Sequence, residues 1–257
     1  MTLQISNLCS GYRQRAVLGN ISLPPIATGS LVALIGPNGV GKSTLVRALA
    51  GLQPASGQMV LGEDDVSVLT PRERQRRVAY LPQSLPQATS LIVYEMLLGA
   101  AYLSGETGHE QITDAIARVA ASLGITQLML RRLAELSGGQ RQMVGLAQVL
   151  VRQSPLLLLD EPTSALDLRW QLNVLEVVRS YVRERQAIAL VASHDLNLAL
   201  RFADQVIMLA PGGDCRTGEP LQVVTSQSLQ ACYGVRGRVE TCSLGYPVVL
   251  VDGVAEQ

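Results

Sequence analysis

Residues 36–44 read Gly36-Pro37-Asn38-Gly39-Val40-Gly41-Lys42-Ser43-Thr44, which is the pattern G-x-x-x-x-G-K-[ST] of a phosphate-binding loop. Lys42 is the only lysine in the chain, and every other residue counted with it as basic is an arginine. A compact ammonium fits between the β- and γ-phosphates of a nucleotide, whereas a planar guanidinium is too wide. Coding bias would explain the arginines, but it does not explain where the single lysine was kept.

The sequence on either side of this loop has the context that the motif requires. The apolar run at 31–35 predicts a fully buried strand, and residues 43–50 predict a helix that ends at Gly51. Glycines in the loop let backbone N–H groups surround phosphate oxygens, and the helix N-terminus adds a partial positive charge. Ser43 is expected to ligate Mg²⁺. The residues expected to contact the nucleotide are Gly36, Asn38, Gly39, Gly41, Lys42, Ser43 and Thr44.

Two further apolar runs end in polar side chains. The run at 156–159 is followed by Asp160 and Glu161, and the run at 187–193 is followed by His194. Ligands of open α/β sheets bind at the carboxyl ends of strands, so these side chains are expected to meet at the nucleotide. Asp160 would hold Mg²⁺, and Glu161 would polarise an attacking water as general base. His194 would reach the γ-phosphate. Taken alone, the run ending at Glu161 and the run ending at His194 could each be an ordinary strand end. The phosphate loop earlier in the chain favours a role for both in nucleotide binding and hydrolysis.

A second anion-binding helix end is predicted at Leu136-Ser137-Gly138-Gly139-Gln140, which precedes an amphipathic helix over about 141–153. A serine cap followed by two glycines exposes N–H groups that attract anions. Because residues 36–44 already bind one nucleotide, this helix end most simply serves the nucleotide of another copy. The sequence therefore predicts a head-to-tail dimer with ATP between the subunits, contacted by Ser137, Gly138, Gly139 and Gln140.

Composition excludes several classes of protein. The formal net charge is zero and the pI is about 6.7, which argues against a nucleic-acid partner. Hydrophobic residues make up 47% of the chain and the mean hydropathy is +0.23, so a large core is expected. Prolines and polar residues interrupt the uncharged stretch at 16–41, so we expect no transmembrane helix, and the N-terminus lacks the pattern of a signal peptide. The cysteines have no C-x-x-C spacing and are expected to be reduced thiols: Cys9, Cys215, Cys232 and Cys242.

In combination these motifs resemble the ATP-binding subunit of ABC (ATP-binding cassette) transporters, over about residues 3–250. The resemblance rests on the phosphate loop, on Gln83 after Tyr80-Leu81-Pro82, on the signature at 136–140, on the run ending at Glu161, and on His194. It implies an α/β P-loop NTPase with a mixed sheet core, an antiparallel β edge layer and a helical lobe that carries the signature. A small-molecule kinase could share the phosphate loop, but the signature at 136–140 would then have no function.

The resemblance also implies roles that the residues alone do not give. Tyr12 would stack on adenine, although it could simply be an exposed tyrosine. Gln83 would contact Mg²⁺ and the attacking water, and the segment at about 83–103 would meet the membrane subunit. Asp167, in Ser164-Ala165-Leu166-Asp167, would cross the dimer interface.

Within the family, the chain is most similar to importers of iron–siderophore, haem and cobalamin type. Three stretches suggest this: 69–83, 194–204 and 218–235. The similarity implies integral membrane permease subunits as partners, a substrate-binding protein acting through them, an iron chelate as cargo, and a peripheral location at the cytoplasmic face of the membrane. Gly99-Ala100-Ala101 and Met143 depart from the group's usual residues. An exporter ATPase and a soluble ABC ATPase of iron–sulfur assembly remain alternatives.

We expect one ABC ATPase domain over 1–257. Its core would comprise about 1–82 and 153–211, its helical lobe about 84–152, and its short tail 212–257, with a hairpin around 245–247.

Overall fold

The computed structural model describes residues 1–12, 15–84, 90–104, 108–211 and 213–255. The strands are β1 (Thr2–Tyr12), β2 (Arg15–Ala27), β3 (Ser30–Ile35), β4 (Ala55–Leu61), β5 (Asp64–Asp65), β6 (Val78–Leu81), β7 (Leu156–Asp160), β8 (Ile188–Ala192), β9 (Gln205–Leu209), β10 (Cys215–Gly218), β11 (Val235–Thr241) and β12 (Pro247–Val254). The helices are α1 (Lys42–Leu49), α2 (Pro71–Arg77), α3 (Val93–Ala101), α4 (His109–Ser122), α5 (Gly138–Leu150), α6 (Leu168–Arg185), α7 (Leu196–Phe202), α8 (Pro220–Val223) and α9 (Ser226–Tyr233).

A six-stranded sheet in the order β10-β9-β3-β8-β7-β6 forms the centre of the molecule. Strands β9, β3, β8, β7 and β6 are parallel, and β10 pairs antiparallel with β9 at one edge. The sheet is therefore mixed, as the sequence predicts. Because neighbouring parallel strands end at one edge of a sheet, the loops after them meet there.

Both faces of this sheet are buried, which explains why its strands read as continuous apolar runs rather than alternating ones. In β7, Leu156 and Leu158 pack into the core on the side of α1, whereas Leu157 and Leu159 pack into the core formed with α3, α4, α5 and α6. Fully burying a leucine side chain stabilises the folded state by roughly 1.5–3 kcal/mol, so these four residues stabilise the position of the strand from both faces of the sheet.

A second sheet and a tail flank the central one. The antiparallel sheet β2-β1-β4-β5 covers the outer side of α1, and its strands hold the N-terminal residues. The hairpin predicted around 245–247 is present as β11 and β12, which pack with α8 and α9 against β3 and β9. In the part of the chain that the structure describes, no helix is both long and apolar enough to cross a bilayer.

Two helix boundaries differ from those predicted. Helix α5 begins at Gly138 rather than Arg141, because Ser137 caps it: its hydroxyl accepts from the Gln140 N–H at 3.3 Å, and the Gln140 side chain accepts from the Ser137 N–H at 3.0 Å. Helix α1 begins and ends one residue earlier than predicted, at Lys42 and Leu49. The four cysteines are all free.

Candidate nucleotide site

Four predicted site residues follow adjacent strands of the central sheet. Lys42 lies after β3, His194 after β8, Glu161 after β7 and Gln83 after β6, and these strands are neighbours in that order. All four strands run in the same direction, so their side chains converge at one edge. The structure thus brings together the phosphate loop and the three groups that the sequence assigned to hydrolysis.

The phosphate loop needs glycine where its backbone passes close to other atoms. Gly36 has a φ of 147°, and a Cβ on it would lie 2.4 Å from the Leu209 carbonyl oxygen. Gly41 has a φ of 114° and caps α1. Both positions require a left-handed backbone that side chains disfavour. The loop therefore leads directly into the N-terminus of α1, where unpaired N–H groups can face an anion.

Lys42 is held inside its own loop. Its ammonium donates to the Gly36 carbonyl at 2.7 Å and to the Pro37 carbonyl at 3.1 Å, and only 6% of the residue is exposed. Burial lowers the pKa of Lys42, while Glu161 and Asp160 oppose this change. An incoming phosphate would replace neutral carbonyls with a fully charged partner, which is a stronger interaction for a buried ammonium.

Asp160 has the properties of a metal ligand. It is completely buried, its Oδ1 accepts from the Ser43 hydroxyl at 2.9 Å, and its Oδ2 has no hydrogen-bond partner among the described residues. Burial raises the pKa of Asp160, against the opposing effect of Ser43, Arg47 and Lys42. A buried carboxylate oxygen without a partner is costly, and a hard cation would satisfy it. The pair of oxygen donors on Ser43 and Asp160 therefore fits Mg²⁺.

Glu161 contacts both Gln83 and His194 at this edge of the sheet. Its Oε2 accepts from the Gln83 amide at 2.9 Å and lies 3.7 Å from His194 Nδ1. Its backbone has a φ of 52°, a left-handed conformation that costs a non-glycine residue roughly 1–3 kcal/mol and is concentrated at functional sites. The turn is held by the Glu161 N–H, which donates to the Ala192 carbonyl at 3.1 Å. The carboxylate is thus directed towards the sheet edge at some conformational cost.

The signature forms a separate helix end. Ser137 and Gln140 bond to each other at this helix end, and the Arg141 guanidinium donates to the Leu136 carbonyl at 2.9 Å. The Leu136 N–H donates to the Leu133 carbonyl in the preceding turn. A cavity of about 370 Å³ lies beside it, and Ser137, Gly139 and Asp167 are among its lining residues. The structure therefore brings Asp167 close to the signature, while Lys42 bonds within its own loop.

Comparison with known proteins identifies the family. Residues 5–164 match the family model described as ABC transporter. The chain is 38% identical over 248 residues to the hemin import ATP-binding protein HmuV of Bordetella pertussis, covering 93% of this chain and 94% of that protein. The chain belongs to the ABC transporter family. The predicted ABC ATPase class is therefore confirmed.

Two further similarities concern the fold and the share of a relative's length that the chain covers. The chain is 35% identical over 243 residues to the cobalamin import ATP-binding protein BtuD of Halobacterium salinarum, but this covers 94% of the chain and only 61% of that relative. A solved structure of an ABC transporter in an inward-facing conformation superimposes with a TM-score of 0.80 at 22% identity, covering 97% of both chains. The predicted ABC fold, with its mixed sheet, is thus confirmed.

Four further residues of this ABC cassette are predicted to contact the nucleotide, and the structure describes the burial of three of them. Thr44 is buried in α1, whereas Asn38 and Gly39 are exposed at the tip of the loop. The Tyr12 side chain, which the sequence predicts to stack on adenine, lies outside the described side chains; its backbone ends β1. Its role stays a prediction.

Two residues have structural roles that sequence reasoning missed. The Asp167 carboxylate caps α6 by accepting from the Trp170 N–H at 3.1 Å, which an aspartate just before an apolar helix could have indicated. Gln142, on α5, is only 4% exposed and donates to the Pro162 carbonyl at 3.3 Å. This bond joins the signature helix to the turn that follows Glu161. The sequence does offer a signal for this bond, because a glutamine on the apolar face of a predicted helix indicates a buried polar contact.

Proposed function

We propose that this chain hydrolyses ATP as the nucleotide-binding subunit of an ABC importer, and that it works as a pair. The observation that carries the proposal is the Glu161 carboxylate, bonded to Gln83 and adjacent to His194 at the sheet edge that also holds Lys42. A carboxylate oriented in this way is suited to accept a proton from a water beside the γ-phosphate.

The site residues divide the tasks of the proposed reaction, and Gln83 has two of them. Lys42 leaves its loop carbonyls and binds the β- and γ-phosphates, and the loop N–H groups hold the remaining oxygens. Ser43, Asp160 and Gln83 would hold Mg²⁺, which when bound would neutralise charge on the phosphates. Glu161 accepts the proton of the attacking water. Gln83 and His194 orient that water and the γ-phosphate.

The second copy would complete the site. In the proposed dimer, the N-terminus of α5 with residues 137–140 contacts the γ-phosphate held by the partner's loop, and Asp167 lies at the interface. A helix N-terminus with a serine cap is a ready anion site, which supports this arrangement. Closure around two nucleotides would move the segment at 83–103, of which residues 85–89 lie outside the described part of the chain.

A substitution at Ser137 separates its capping role from its role in the dimer. Aspartate and asparagine cap helices about as well as serine, so Ser137→Asp and Ser137→Asn should both melt within about 0.5 kcal/mol of the parent. Only the aspartate adds a charge that repels the γ-phosphate. In a hydrolysis-deficient background, gel filtration with ATP should give dimers for the asparagine variant and monomers for the aspartate variant. Equal dimerisation of the two would contradict the proposed contact.

We propose that the membrane partner docks on a groove beside the edge sheet. The groove has a volume of about 440 Å³ and lies between the end of α1, helix α2 and β6. Leu52 lines it and is 64% exposed. Helix α2, which also lines it, packs against the turn Tyr102–Ser104, where Tyr102 is 56% exposed. The groove is lined by apolar and polar side chains together, among them Arg74 and Arg152, so it suits an amphipathic helix of a permease subunit.

Co-purification tests both the groove and the importer function. Leu52→Glu introduces a charge at an exposed site and should leave folding intact, but it should remove hydrophobic membrane subunits from material captured in detergent. Leu244→Glu, at a 79% exposed site in the hairpin turn, is the matched control and should retain them. Capture of soluble partners alone by the parent protein would instead favour an ABC ATPase of iron–sulfur assembly. Undiminished capture by Leu52→Glu would exclude the groove.

The proposed cargo is a metal chelate. The relatives described above are named for hemin and cobalamin import, so a metal-bearing tetrapyrrole suits the chain best, and an iron–siderophore is the neighbouring possibility within the same class. The permease and a substrate-binding protein would select the cargo. We further propose that the cassette acts at the cytoplasmic face of the membrane. In this proposal, residues 84–152 form a lobe that moves against a core of 1–82 and 153–211, with the tail 212–257 attached to that core.

A further inference from the structure

The C-terminal hairpin is tied to helix α7 by two side chains of that helix. The Val249 N–H of β12 donates to the Asn197 side-chain oxygen at 2.7 Å. The Arg201 guanidinium lies over the Tyr246 ring, 4.4 Å from the ring centroid, which is a cation–π contact. Asn197 and Arg201 are four positions apart, so they lie on one face of α7. The hairpin therefore contacts the helix near both of its ends.

Helix α7 packs against the central sheet as well as against the hairpin. It contacts β3 and β12, and its residues Ala199 and Leu200 share one buried cluster with Ala33 of β3 and Val249 of β12. A helix of only seven residues is not stable by itself in water, so its position depends on such packing. The sheet and the hairpin together therefore set where α7 lies.

His194 comes two residues before this helix begins. On one side, the Ser193 N–H donates to the Leu34 carbonyl of β3 at 3.0 Å. On the other side, the Asp195 carboxylate caps α7 by accepting from a backbone N–H of its first turn at 3.0 Å. The His194 side chain is 57% exposed, and its Nδ1 lies 3.7 Å from Glu161, which is too long for a hydrogen bond. The position of the imidazole therefore depends on how firmly the backbone on both sides is held.

We propose that Asn197 is a positioning residue for His194: by accepting from β12 it fixes the first turn of α7, and with it the imidazole beside Glu161. Asn197 follows His194 by three positions, which is less than one helical turn. The inference rests on the proposed role of His194 at the γ-phosphate. It gives the C-terminal hairpin an influence on hydrolysis, because a hairpin detached from α7 would leave the histidine less well placed.

The test compares two exposed side chains that each accept one backbone N–H at 2.7 Å. Asn197→Ala removes the bond from Val249 and keeps a good helix former in α7. Ser67→Ala is the matched control, because Ser67 accepts from the Met59 N–H beside the edge sheet. Asn197→Asp is the conservative variant, because it keeps an acceptor oxygen.

Four quantities are measured on the full chain: kcat, KM for ATP, the melting temperature and the NMR signals of the imidazole rings. The chain has two histidines, so the His109 signal is an internal reference for that of His194. Both alanine variants should melt slightly below the parent, because each leaves one backbone N–H without its partner.

Asn197→Ala should lower kcat by about threefold to tenfold, since misplacing a group by about 1 Å can cost up to roughly 10²-fold in rate. KM should stay within about twofold, because Lys42 bonds within its own loop. The His194 signal should shift while the His109 signal does not. Asn197→Asp should restore kcat, and Ser67→Ala should keep the parental kcat and both signals.

Parental kcat in Asn197→Ala would overturn the inference, and so would an equal loss of kcat in Ser67→Ala. A kcat that stays low in Asn197→Asp, or an unshifted His194 signal in Asn197→Ala, would show that this hydrogen bond does not place the histidine. Failure of the underlying proposal is read separately, because His194→Ala would then hydrolyse ATP at the parental rate.

Discussion

The Glu161→Gln variant is expected to bind ATP and to dimerise, but not to hydrolyse the bound ATP at an appreciable rate. The amide keeps the shape of the side chain and can still accept from the Gln83 amide that now lies 2.9 Å from Glu161 Oε2. It cannot take a proton from water, and removing a general base typically lowers the rate by about 10²–10⁴-fold. Phosphate release should fall by that amount, while gel filtration with Mg·ATP should show a stable dimer.

The backbone conformation of residue 161 lets the Glu161→Gln variant test the general-base role without added strain. Residue 161 has a φ of 52°, and glutamine already adopts φ values of 53° and 50° at Gln153 and Gln186, so the substitution adds no new strain. Glu63→Gln, an exposed glutamate in the turn between β4 and β5, is the matched control and should hydrolyse ATP normally. Parental turnover in Glu161→Gln, or a variant that stays monomeric with ATP, would contradict the general-base role.

The sequence was sufficient to locate the strands that carry the site. Continuous apolar runs at 31–35, 156–159 and 187–193 became β3, β7 and β8, because a strand covered on both faces has no polar side to interrupt the pattern. The residue after each run then falls at the sheet edge. For this reason the sequence alone predicts that Glu161 and His194 lie at one edge of the sheet.

The polar contacts within the site could not be predicted in the same way. The bond from Gln83 to Glu161 joins residues 78 positions apart and depends on β6 lying beside β7, a strand order that no local pattern states. The unpartnered oxygen of Asp160 depends equally on long-range packing. Local rules do apply to helix ends. The sequence predicts that α5 starts at about Arg141, which is too late, because Gly138 and Gly139 are poor helix formers that the Ser137 cap nevertheless holds in the helix.

The charges of the site form one connected system. Burial lowers the pKa of Lys42 and raises the pKa of Asp160, so it disfavours both charges. The two carboxylates of Glu161 and Asp160 oppose the change at Lys42, and Lys42 opposes the change at Asp160. Removing water makes each charge expensive until a partner of opposite sign arrives. The nucleotide and its cation would supply both partners, so the site is organised for ligands of high charge.

Lys42→Ala is expected to lose both ATP binding and turnover. In the free protein the substitution removes a buried charge and leaves the Gly36 and Pro37 carbonyls without their ammonium donor, two effects that oppose each other, so the melting temperature without nucleotide should change little. With nucleotide, a charge-assisted contact to the phosphates is missing. Loss of one such stabiliser typically lowers the rate by about 10²–10³-fold. Turnover and the ATP-dependent rise in melting temperature measure the two effects separately.

Lys42→Arg tests why the chain's single lysine lies here. If charge alone mattered, arginine would restore ATP binding, since arginine carries every other such charge in this sequence. The ammonium, however, occupies a pocket that leaves only 6% of the residue exposed, between two carbonyls at 2.7 and 3.1 Å. A planar guanidinium with five donors cannot adopt that geometry or fit between two phosphates. We therefore expect Lys42→Arg to be nearly as inactive as Lys42→Ala; parental activity in the arginine variant would show that shape is irrelevant and that the lysine's position has another cause.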